Sequence, residues 1–256
     1  MRILATALLV LGLVSLAAAQ SPAQNTGQTH ATWDYLGKYG AMNWGKLDPA
    51  YRACSKGHEQ SPIDIRGARL NKALKPVQFH YLGGPVTLVN DGHAIVVHVV
   101  PGSYITVGSV RYDLVEFTFH HPSEHEVDGH LSNMEVDLLH RSADGKLLMI
   151  GILLTASQDF PNATISSLWQ HLPTQPGQTE KDENMVNPGG LFPRNPGYWT
   201  YTGSLPAPPC TEGVRWYVYQ NPVNISHRQL NAFVNLYSVN TRPVQDLHGR
   251  RIEANQ

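Results

Sequence analysis

The sequence predicts a mainly β domain of the α+β class, in which short strands joined by turns outnumber helices. Glycine (22) and proline (18) are plentiful, and charged residues make up only 15% of the 256 residues. This composition favours turns over long solvated helices. Runs of β-branched and aromatic residues recur between the turn residues. No repeat or linker interrupts the sequence, so we expect one domain over residues 33–256.

The first residues have the pattern of an export signal. Arg2 is a positive n-region, residues 3–16 are apolar, and Ala17–Ala19 offer small residues for cleavage. The apolar stretch is short for a membrane span. The alternative to a cleaved signal is an uncleaved anchor. We predict a signal peptide over 1–19, a disordered leader over 20–32, and a periplasmic or secreted protein without membrane contact after cleavage.

The strand predictions follow from apolar or β-branched runs that end at turn signals. The turn signals are Asn90–Gly92, Pro101-Gly102 and Asp144-Gly145. Two runs, Met134–His140 and Leu147–Thr155, are apolar enough to be central strands buried on both faces. The predicted strands are Val86–Val89, Ala94–Val100, Tyr104–Val107, Asp113–His120, Met134–His140, Leu147–Thr155 and Gly213–Tyr219.

Two segments have helical character. Ile165–Leu172 predicts a short helix, and Ser226–Tyr237 predicts a second helix with Ser226 as its N-cap. Trp33–Trp44 is aromatic and glycine-rich without a clear period. We expect it to be an irregular segment that packs on the body of the domain.

Charge and cysteine content limit the partners and the compartment. Nineteen basic and 20 acidic residues give a net charge of −1 without a basic stripe, so nucleic-acid binding is not expected. The partner is an unknown small ligand or a protein. An exported chain meets an oxidising compartment, so Cys54 and Cys210 are predicted to form a disulfide, with two free thiols as the alternative.

One predicted strand combines a polar face with an apolar face. Alternate side chains of a strand share a face, so Glu116, Thr118 and His120 point one way. Phe117 and Phe119 point the other way. The spacing of His121 and His125 suits a helix, but Pro122 argues against one there.

The next strand repeats this alternation. Glu135, Asp137 and Leu139 share a face. If the two strands are neighbours, Thr118, His120 and Asp137 meet in one pocket. The alternative is that both faces meet solvent, which the surrounding aromatic and aliphatic residues make the weaker interpretation.

A series of short motifs covers the chain from Trp33 to about Ile252. They are Gly57–Ile65, Asn90–His93, Glu116–His125, Met134-Glu135, Tyr201–Leu205, Pro208–Glu212 and Asn240–Pro243. In this order the motifs resemble the α-carbonic anhydrases of the bacterial, disulfide-linked kind. The resemblance implies a large, twisted, mostly antiparallel sheet with short peripheral helices.

The resemblance also implies a zinc centre. In that family three neutral histidines hold zinc and leave a fourth position for water, whose hydroxide form attacks carbon dioxide. A threonine orients the hydroxide and donates to a buried glutamate. In this chain the three ligand positions are Thr118, His120 and Asp137, and the threonine position is Pro206. Only His120 keeps the family's residue.

The surroundings of the centre depart less from the family. His93 matches the proton-shuttle histidine, Glu124 the glutamate that accepts from the threonine, and Glu135 the carboxylate behind the third ligand. Glu116 replaces the glutamine behind the first ligand. The resemblance assigns the apolar side of the pocket to Leu139, Met149, Leu205, Val214 and Trp216.

These substitutions predict that the zinc chemistry is lost or strongly impaired. A threonine hydroxyl is a poor zinc ligand, the Asp137 side chain is shorter than histidine, and Pro206 has neither a hydroxyl nor an N–H. We therefore expect no cofactor and a carbonic-anhydrase-related protein that acts as a binding or structural module. The alternative is a working carbonic anhydrase that holds zinc in an unusual site.

Four carboxyl groups, those of Glu116, Glu124, Glu135 and Asp137, are predicted to crowd this pocket. Buried carboxylates are costly unless they are paired, protonated or hydrated. We expect Asp137 to pair with a protonated His120, which would replace the metal as the local positive charge. The alternative is that the carboxylates bind a hard cation such as Ca²⁺ or Mg²⁺.

Overall fold

The structure, a computed structural model, describes residues 32–157 and 160–256. The predicted signal peptide and leader lie outside these residues, apart from Thr32. In the described part of the chain, no helix is long and apolar enough to cross a membrane.

Strands provide most of the regular structure. In chain order they are β1 (Asp64–Ile65), β2 (Arg69–Leu70), β3 (Val77–His80), β4 (Gly84–Asn90), β5 (Ile95–Val99), β6 (Tyr104–Val107), β7 (Val110–His120), β8 (Glu126–Val127), β9 (His130–Leu131), β10 (Met134–Ser142), β11 (Leu147–Ser157), β12 (Thr179–Val186), β13 (Tyr198–Ser204), β14 (Glu212–Ser226) and β15 (Glu253–Ala254). The helices are short. They are α1 (Trp44–Leu47), α2 (Ala53–Lys56), α3 (Ala163–Leu168) and α4 (His227–Val234), with 3₁₀ turns at Gly37–Tyr39, Ala41–Asn43, Pro49–Tyr51, Trp169–His171 and Pro188–Leu191.

One large sheet contains most of the strands. Its order is β12-β4-β5-β7-β10-β11-β14-β13-β15-β2, with β6 paired to β7 and β3 paired to β6. Among its described pairs, β11 with β14 and β15 with β2 are parallel, and the others are antiparallel. Strands β1, β8 and β9 form a small second sheet. The predicted large, mostly antiparallel sheet with short peripheral helices is confirmed.

The predicted strands are present, but five strands of the large sheet were missed: the short β2, β3 and β15, and the longer β12 and β13. Strand β12 pairs only with β4 at the sheet edge and is mostly exposed, so its sequence needs no apolar run. Strand β13 lies inside the sheet, but prolines and glycines surround it in the sequence. Its pairing with β14 extends over most of its length, and tertiary contacts of this kind override a weak local signal.

The helix predictions are correct in place and longer than the helices observed. Helix α4 begins after Ser226, whose side chain accepts from the Gln229 N–H in a capping box, and it ends at Val234. Helix α3 ends at Leu168 and a 3₁₀ turn continues to His171. The segment 33–44 consists of bends and 3₁₀ turns leading into α1, and the rings of Trp33, Tyr35 and Trp44 pack on each other there.

Strand β7 separates the core from a cavity. Phe117 and Phe119 are fully buried in the larger core cluster with Leu138 of β10. Thr118 and His120, which alternate with them, line a cavity on the opposite face. The predicted alternation is therefore confirmed, and the centre of the sheet forms the floor of the cavity.

The predicted disulfide between Cys54 and Cys210 is confirmed, with the two Cα atoms 5.1 Å apart. It joins α2 to the loop that follows β13, and it lies in a small apolar cluster with Tyr35, Trp44 and Tyr51.

Because His140 on β10 is buried, we expect the folded protein to lose stability in acid. Its Nδ1–H donates to the Leu138 carbonyl (3.1 Å) and its Nε2 accepts from the Tyr81 hydroxyl (2.7 Å). Burial lowers the pKa of His140 from 6.5 to about 3, so between these values the unfolded chain binds more protons than the native chain. His140 therefore makes the free energy of unfolding fall as pH drops through this window, by at most about 1.4 kcal/mol per pH unit.

Urea unfolding of His140→Gln between pH 7 and pH 4 is expected to show a shallower loss of stability than the natural protein. Tyr81→Phe is the matched control, because it removes the hydroxyl and keeps the imidazole. It is expected to lower stability at every pH and keep the steeper slope. Equal slopes for the natural protein and His140→Gln would contradict this prediction.

Candidate functional site

A cavity of about 270 Å³ opens above the centre of the large sheet. Strands β5, β7, β10 and β11 form its floor, and the segments around Trp33, His93 and Pro206 form its rim. Its lining residues are Trp33, Tyr35, Asp91, His93, Ala94, Val96, Glu116, Thr118, His120, Asp137, Leu139, Met149, Leu205, Pro206, Ala207 and Pro208.

The register between β7 and β10 brings the predicted polar residues together. The strands are antiparallel neighbours in which Thr118 faces Asp137 and His120 faces Glu135. The pocket predicted from alternation over Thr118, His120 and Asp137 is therefore present at the cavity floor.

His120 is held as a neutral imidazole. Its Nδ1–H donates to the Asn240 carbonyl (2.9 Å), and its Nε2 lies 2.9 Å from the Thr118 hydroxyl. Burial lowers the pKa of His120, so Nε2 acts as an acceptor and Thr118 as the donor. The neighbouring His121 turns away and makes a hydrogen bond to the Ser238 carbonyl.

Asp137 does not form the ion pair that the sequence predicts. Its Oδ2 lies 3.8 Å from His120 Nε2, and no N–H or hydroxyl group among the described residues donates to either of its oxygens. Its carboxyl group is hydrogen-bonded to that of Glu135. Burial, with the negative charges of Glu135 and Glu124, raises the pKa of Asp137 well above its ordinary value. Since burial favours the neutral form of both His120 and Asp137, the prediction of a protonated His120 was wrong.

Glu135 pairs with a residue that the sequence analysis discounted. Its carboxylate accepts from the His125 N–H and the His125 Nδ1–H, both at 2.8 Å. Burial opposes ionisation, but the interaction with His125 outweighs it and lowers the pKa of Glu135. The space for this carboxylate depends on Gly151 of β11, where a Cβ would collide with Glu135 Oε1.

The network continues beyond His125 and could not be found from local patterns. His125 Nε2 lies 2.7 Å from the Tyr201 hydroxyl, which lies 2.8 Å from the Ser61 hydroxyl. All these groups are buried. They come from segments far apart in sequence, so the only available signal was that each belongs to one of the family motifs.

Glu124 also lies below the floor and is fully buried. Its oxygens are 3.4 Å from the Arg242 N–H and 3.3 Å from His120 Nδ1. Burial and the charge of Glu135 raise the pKa of Glu124 well above its ordinary value. The Arg242 guanidinium is committed elsewhere, to Gln60 and to the carbonyls of Ser61 and Cys54.

The rim carries the other polar residues. The His93 ring stacks on Trp33 with 3.8 Å between centroids, and its Nε2 lies 2.9 Å from the Trp33 carbonyl. Asp91 accepts from the backbone N–H groups of His93 and Ala94. Glu116 lies 3.4 Å from His98 Nδ1. The proton-shuttle role of His93 stays a prediction.

The apolar wall differs in part from the prediction. Leu139, Met149 and Leu205 line the cavity. Val214 and Trp216 do not line it. They are fully buried behind it, in the core cluster that also contains Met149. The Trp216 Nε1–H donates to the Ser204 carbonyl at the start of the loop that carries Pro206, so Trp216 supports the wall from behind.

The floor does not fit a catalytic zinc ion. Such a site takes three protein ligands, whereas here one imidazole, one hydroxyl and one short carboxyl converge. The imidazole Nε2 already accepts from Thr118, and Pro206 lines the cavity without a donor. Within the described ranges, no group of three or more histidine, cysteine, aspartate or glutamate residues is arranged to hold a metal ion.

Comparisons with known proteins agree with the motifs. A family model described as eukaryotic-type carbonic anhydrase matches residues 39–256. The chain belongs to the α-carbonic anhydrase family. A carbonic anhydrase of Pectobacterium carotovorum is 36% identical over 221 residues, which cover 86% of this chain and 89% of the relative.

The solved structures that resemble this chain include α-carbonic anhydrases and a dioscorin. The α-carbonic anhydrase of Thermovibrio ammonificans, in complex with the inhibitor sulfanilamide, aligns with a TM-score of 0.84 and 36% identity over 87% of this chain and 99% of its own. A dioscorin complexed with ascorbate aligns with a TM-score of 0.81 and 29% identity over 87% of this chain and 97% of its own.

Proposed function

We propose that this protein is an exported binding protein of the α-carbonic anhydrase family that lacks zinc-dependent hydration of carbon dioxide. One observation supports it above the others. His120 is the single imidazole among the described residues at the floor, and its Nε2 is occupied by the Thr118 hydroxyl. Asp137, at the third ligand position, stays 3.8 Å from that nitrogen.

The loop at Pro206 supports the same proposal independently. Proline cannot orient a nucleophile or donate to Glu124, because it has neither a hydroxyl nor an N–H. The loss of one donor to a transition state typically costs about 10²–10³-fold in rate. Even a metal bound in some other way would therefore act in a weakened site.

A binding role is supported by the cavity that remains. It keeps an apolar wall of Leu139, Met149 and Leu205 beside a polar floor, the usual composition of a small-molecule site. A structural neighbour, dioscorin, was solved with ascorbate, so a small organic molecule accompanies this fold elsewhere. The signal-peptide pattern of residues 1–19 and the disulfide support export.

The second candidate is a working carbonic anhydrase with an unusual metal site. Relatives named carbonic anhydrase favour it, and so do His93 at the rim and Glu124 below the floor. It requires the metal to tolerate the changes at Thr118, Asp137 and Pro206 together.

Metal content and hydration activity decide between the two. The protein is recovered from the export fraction of a bacterial host, where the mature N-terminus is expected at Gln20. It is then incubated with Zn²⁺, desalted and assayed for metal. We expect far less than one zinc per chain and no hydration above the uncatalysed rate in stopped-flow assays. Stoichiometric zinc together with CO₂ hydration would overturn the proposal.

A further inference from the structure

A second cleft of the molecule, of about 240 Å³, is lined by arginines. It shares no lining residue with the cavity above the sheet. Its charged lining residues are Arg66, Arg69, Arg250 and Arg251, and its other lining residues are glycine, leucine and isoleucine. Because no acidic side chain lines this cleft, its field attracts anions.

The pairing of two short strands brings these arginines together. Arg69 begins β2, and Arg250 and Arg251 precede β15. The two strands are parallel neighbours, and the Arg69 N–H donates to the Ile252 carbonyl (2.9 Å). The arginines therefore come from segments far apart in sequence. The net charge of −1 and the lack of a basic stripe do not reveal the cluster, since it forms only in the folded chain.

Arg250 places a fixed positive charge in the cleft. Its guanidinium donates to four backbone carbonyls at 2.8–2.9 Å, those of Leu247, Thr202, Gln60 and Asp246. These acceptors hold the group in one position, but they are neutral and leave its charge uncompensated. A guanidinium held in this way is preorganised to attract an anion.

The other arginines add charge that the fold does not use fully. Arg69 and Arg251 are exposed, and among the described residues neither side chain forms a hydrogen bond or an ion pair. Arg66 is paired with Asp64 through its Nε. Positive charges that share one cleft repel each other, and a bound anion would remove this repulsion.

The neighbouring carboxylates do not fill the cleft. Glu253 is the partner of Arg69 in the strand register, and its carboxylate accepts from the Asn71 side chain (2.9 Å). The second oxygen of Asp64 accepts from the Gly129 N–H (3.0 Å). Neither carboxylate lines the cleft, so the space between the arginines is open to an anion from outside the chain.

We propose that this cleft binds a phosphate group, with the guanidinium groups of Arg69 and Arg251 donating to its oxygens. The fixed charge of Arg250 adds to the attraction. A guanidinium matches two phosphate oxygens with two parallel hydrogen bonds, and a dianion can pair with more than one guanidinium at once. This inference goes beyond the proposed function, because zinc content and hydration depend on the cavity and not on this cleft.

Isothermal titration calorimetry of the mature natural protein with pyrophosphate, inorganic phosphate and acetate tests this proposal. The titrations are done at low ionic strength, because salt screens exposed charges. We expect one phosphate per chain with a Kd of about 1 mM or tighter, tighter binding of pyrophosphate, and acetate at least about tenfold weaker than phosphate. Acetate binding as tightly as phosphate, or no saturable binding of pyrophosphate, would overturn the proposal.

The double variant Arg69→Gln with Arg251→Gln locates the site. It is expected to weaken phosphate and pyrophosphate at least about tenfold. Arg141→Gln is the matched control, since Arg141 is an exposed arginine on β10, four strands from β15 in the sheet. This control should bind both probes as the natural protein does.

Unchanged affinity in the folded double variant, or an equal loss in Arg141→Gln, would refute the assignment to this cleft. Each single variant, Arg69→Gln or Arg251→Gln, provides the same test if the double variant does not fold. A loss of at least about threefold is expected for each, and unchanged affinity in both would refute the assignment.

Co-sedimentation with phosphatidylglycerol vesicles separates two sources of the phosphate group. Sedimentation of the natural protein but not of the double variant would assign the phosphate to a lipid headgroup. If neither protein sediments, or if both sediment equally, a protein that binds pyrophosphate through these arginines takes its phosphate group from a soluble compound.

Discussion

The double variant Thr118→His with Asp137→His is expected to bind one Zn²⁺ per chain. Thr118 and Asp137 are direct partners in the antiparallel register, where opposite side chains start about 5 Å apart. His120 lies two residues from Thr118 on the same face. Three imidazoles would therefore converge at the cavity floor, as a catalytic zinc site requires.

The surroundings of this floor already suit a zinc ligand. The Asn240 carbonyl accepts from His120 Nδ1 (2.9 Å), which fixes the tautomer with Nε2 directed to the floor. The change Thr118→His also removes the hydroxyl that occupies Nε2. We expect an apparent Kd in the range of about 1 nM or tighter, measured by competition with a chelator.

Two comparisons make this prediction sharp. Adding His120→Ala to the double variant should abolish zinc binding while leaving the two new histidines in place. Each single variant, with two histidines, should bind more weakly than the double variant. A folded double variant that takes up no zinc would show that the floor residues do not converge as described.

Hydration activity in the zinc-binding variant should then depend on position 206. Adding Pro206→Thr is expected to raise turnover about 10²–10³-fold, because it supplies a hydroxyl that can donate to Glu124 and orient the nucleophile. Pro206→Val is the matched control, since valine has the shape of threonine and restores the N–H without the hydroxyl. Equal turnover of the two variants in stopped-flow assays would exclude a role for the hydroxyl.

The arrangement of the floor could be predicted because strand alternation is a local rule. The spacing of Thr118, His120 and Asp137 placed them on inward faces, and the register confirms that they meet. Protonation was not predictable in the same way. It depends on burial and on partners such as Asn240, which lies 120 residues from His120 in sequence. The sequence therefore suggested an ion pair where burial lowers the pKa of His120 and raises the pKa of Asp137, which favours the neutral form of each.

Two other errors have the same cause. The family resemblance assigned Val214 and Trp216 to the cavity wall, but whether a side chain reaches the surface depends on its neighbours on adjacent strands. Both are fully buried behind the wall. The role of His125 was also missed, because its partners Glu135 and Tyr201 come from other strands. In each case the sequence identified the residue but did not show which residues of other strands it contacts.

Removal of the disulfide is expected to lower the free energy of unfolding more than any other change proposed for this protein. Cys54 and Cys210 are 156 residues apart, and closing so long a loop stabilises the native state by about 5 kcal/mol in the chain-entropy model. Urea unfolding of Cys54→Ala with Cys210→Ala should show a decrease approaching this value. The natural protein treated with dithiothreitol is the control for effects of the alanines themselves.

The same disulfide holds one wall of the cavity, so its loss should also act locally. Cys210 ends the loop that carries Pro206 and Ala207, and inside that loop the Cys210 N–H donates to the Ala207 carbonyl (2.9 Å). Without the disulfide, this loop is held to the segment that follows α2 by hydrogen bonds such as that from Gln60 Nε2 to the Cys210 carbonyl (3.1 Å). Hydrogen exchange at the backbone amides of residues 205, 207, 210 and 211 is expected to accelerate well below the urea concentration that unfolds the sheet. If hydrogen exchange instead accelerates equally in the sheet and in the loop, the disulfide stabilises the whole fold and does not stabilise the cavity wall in particular.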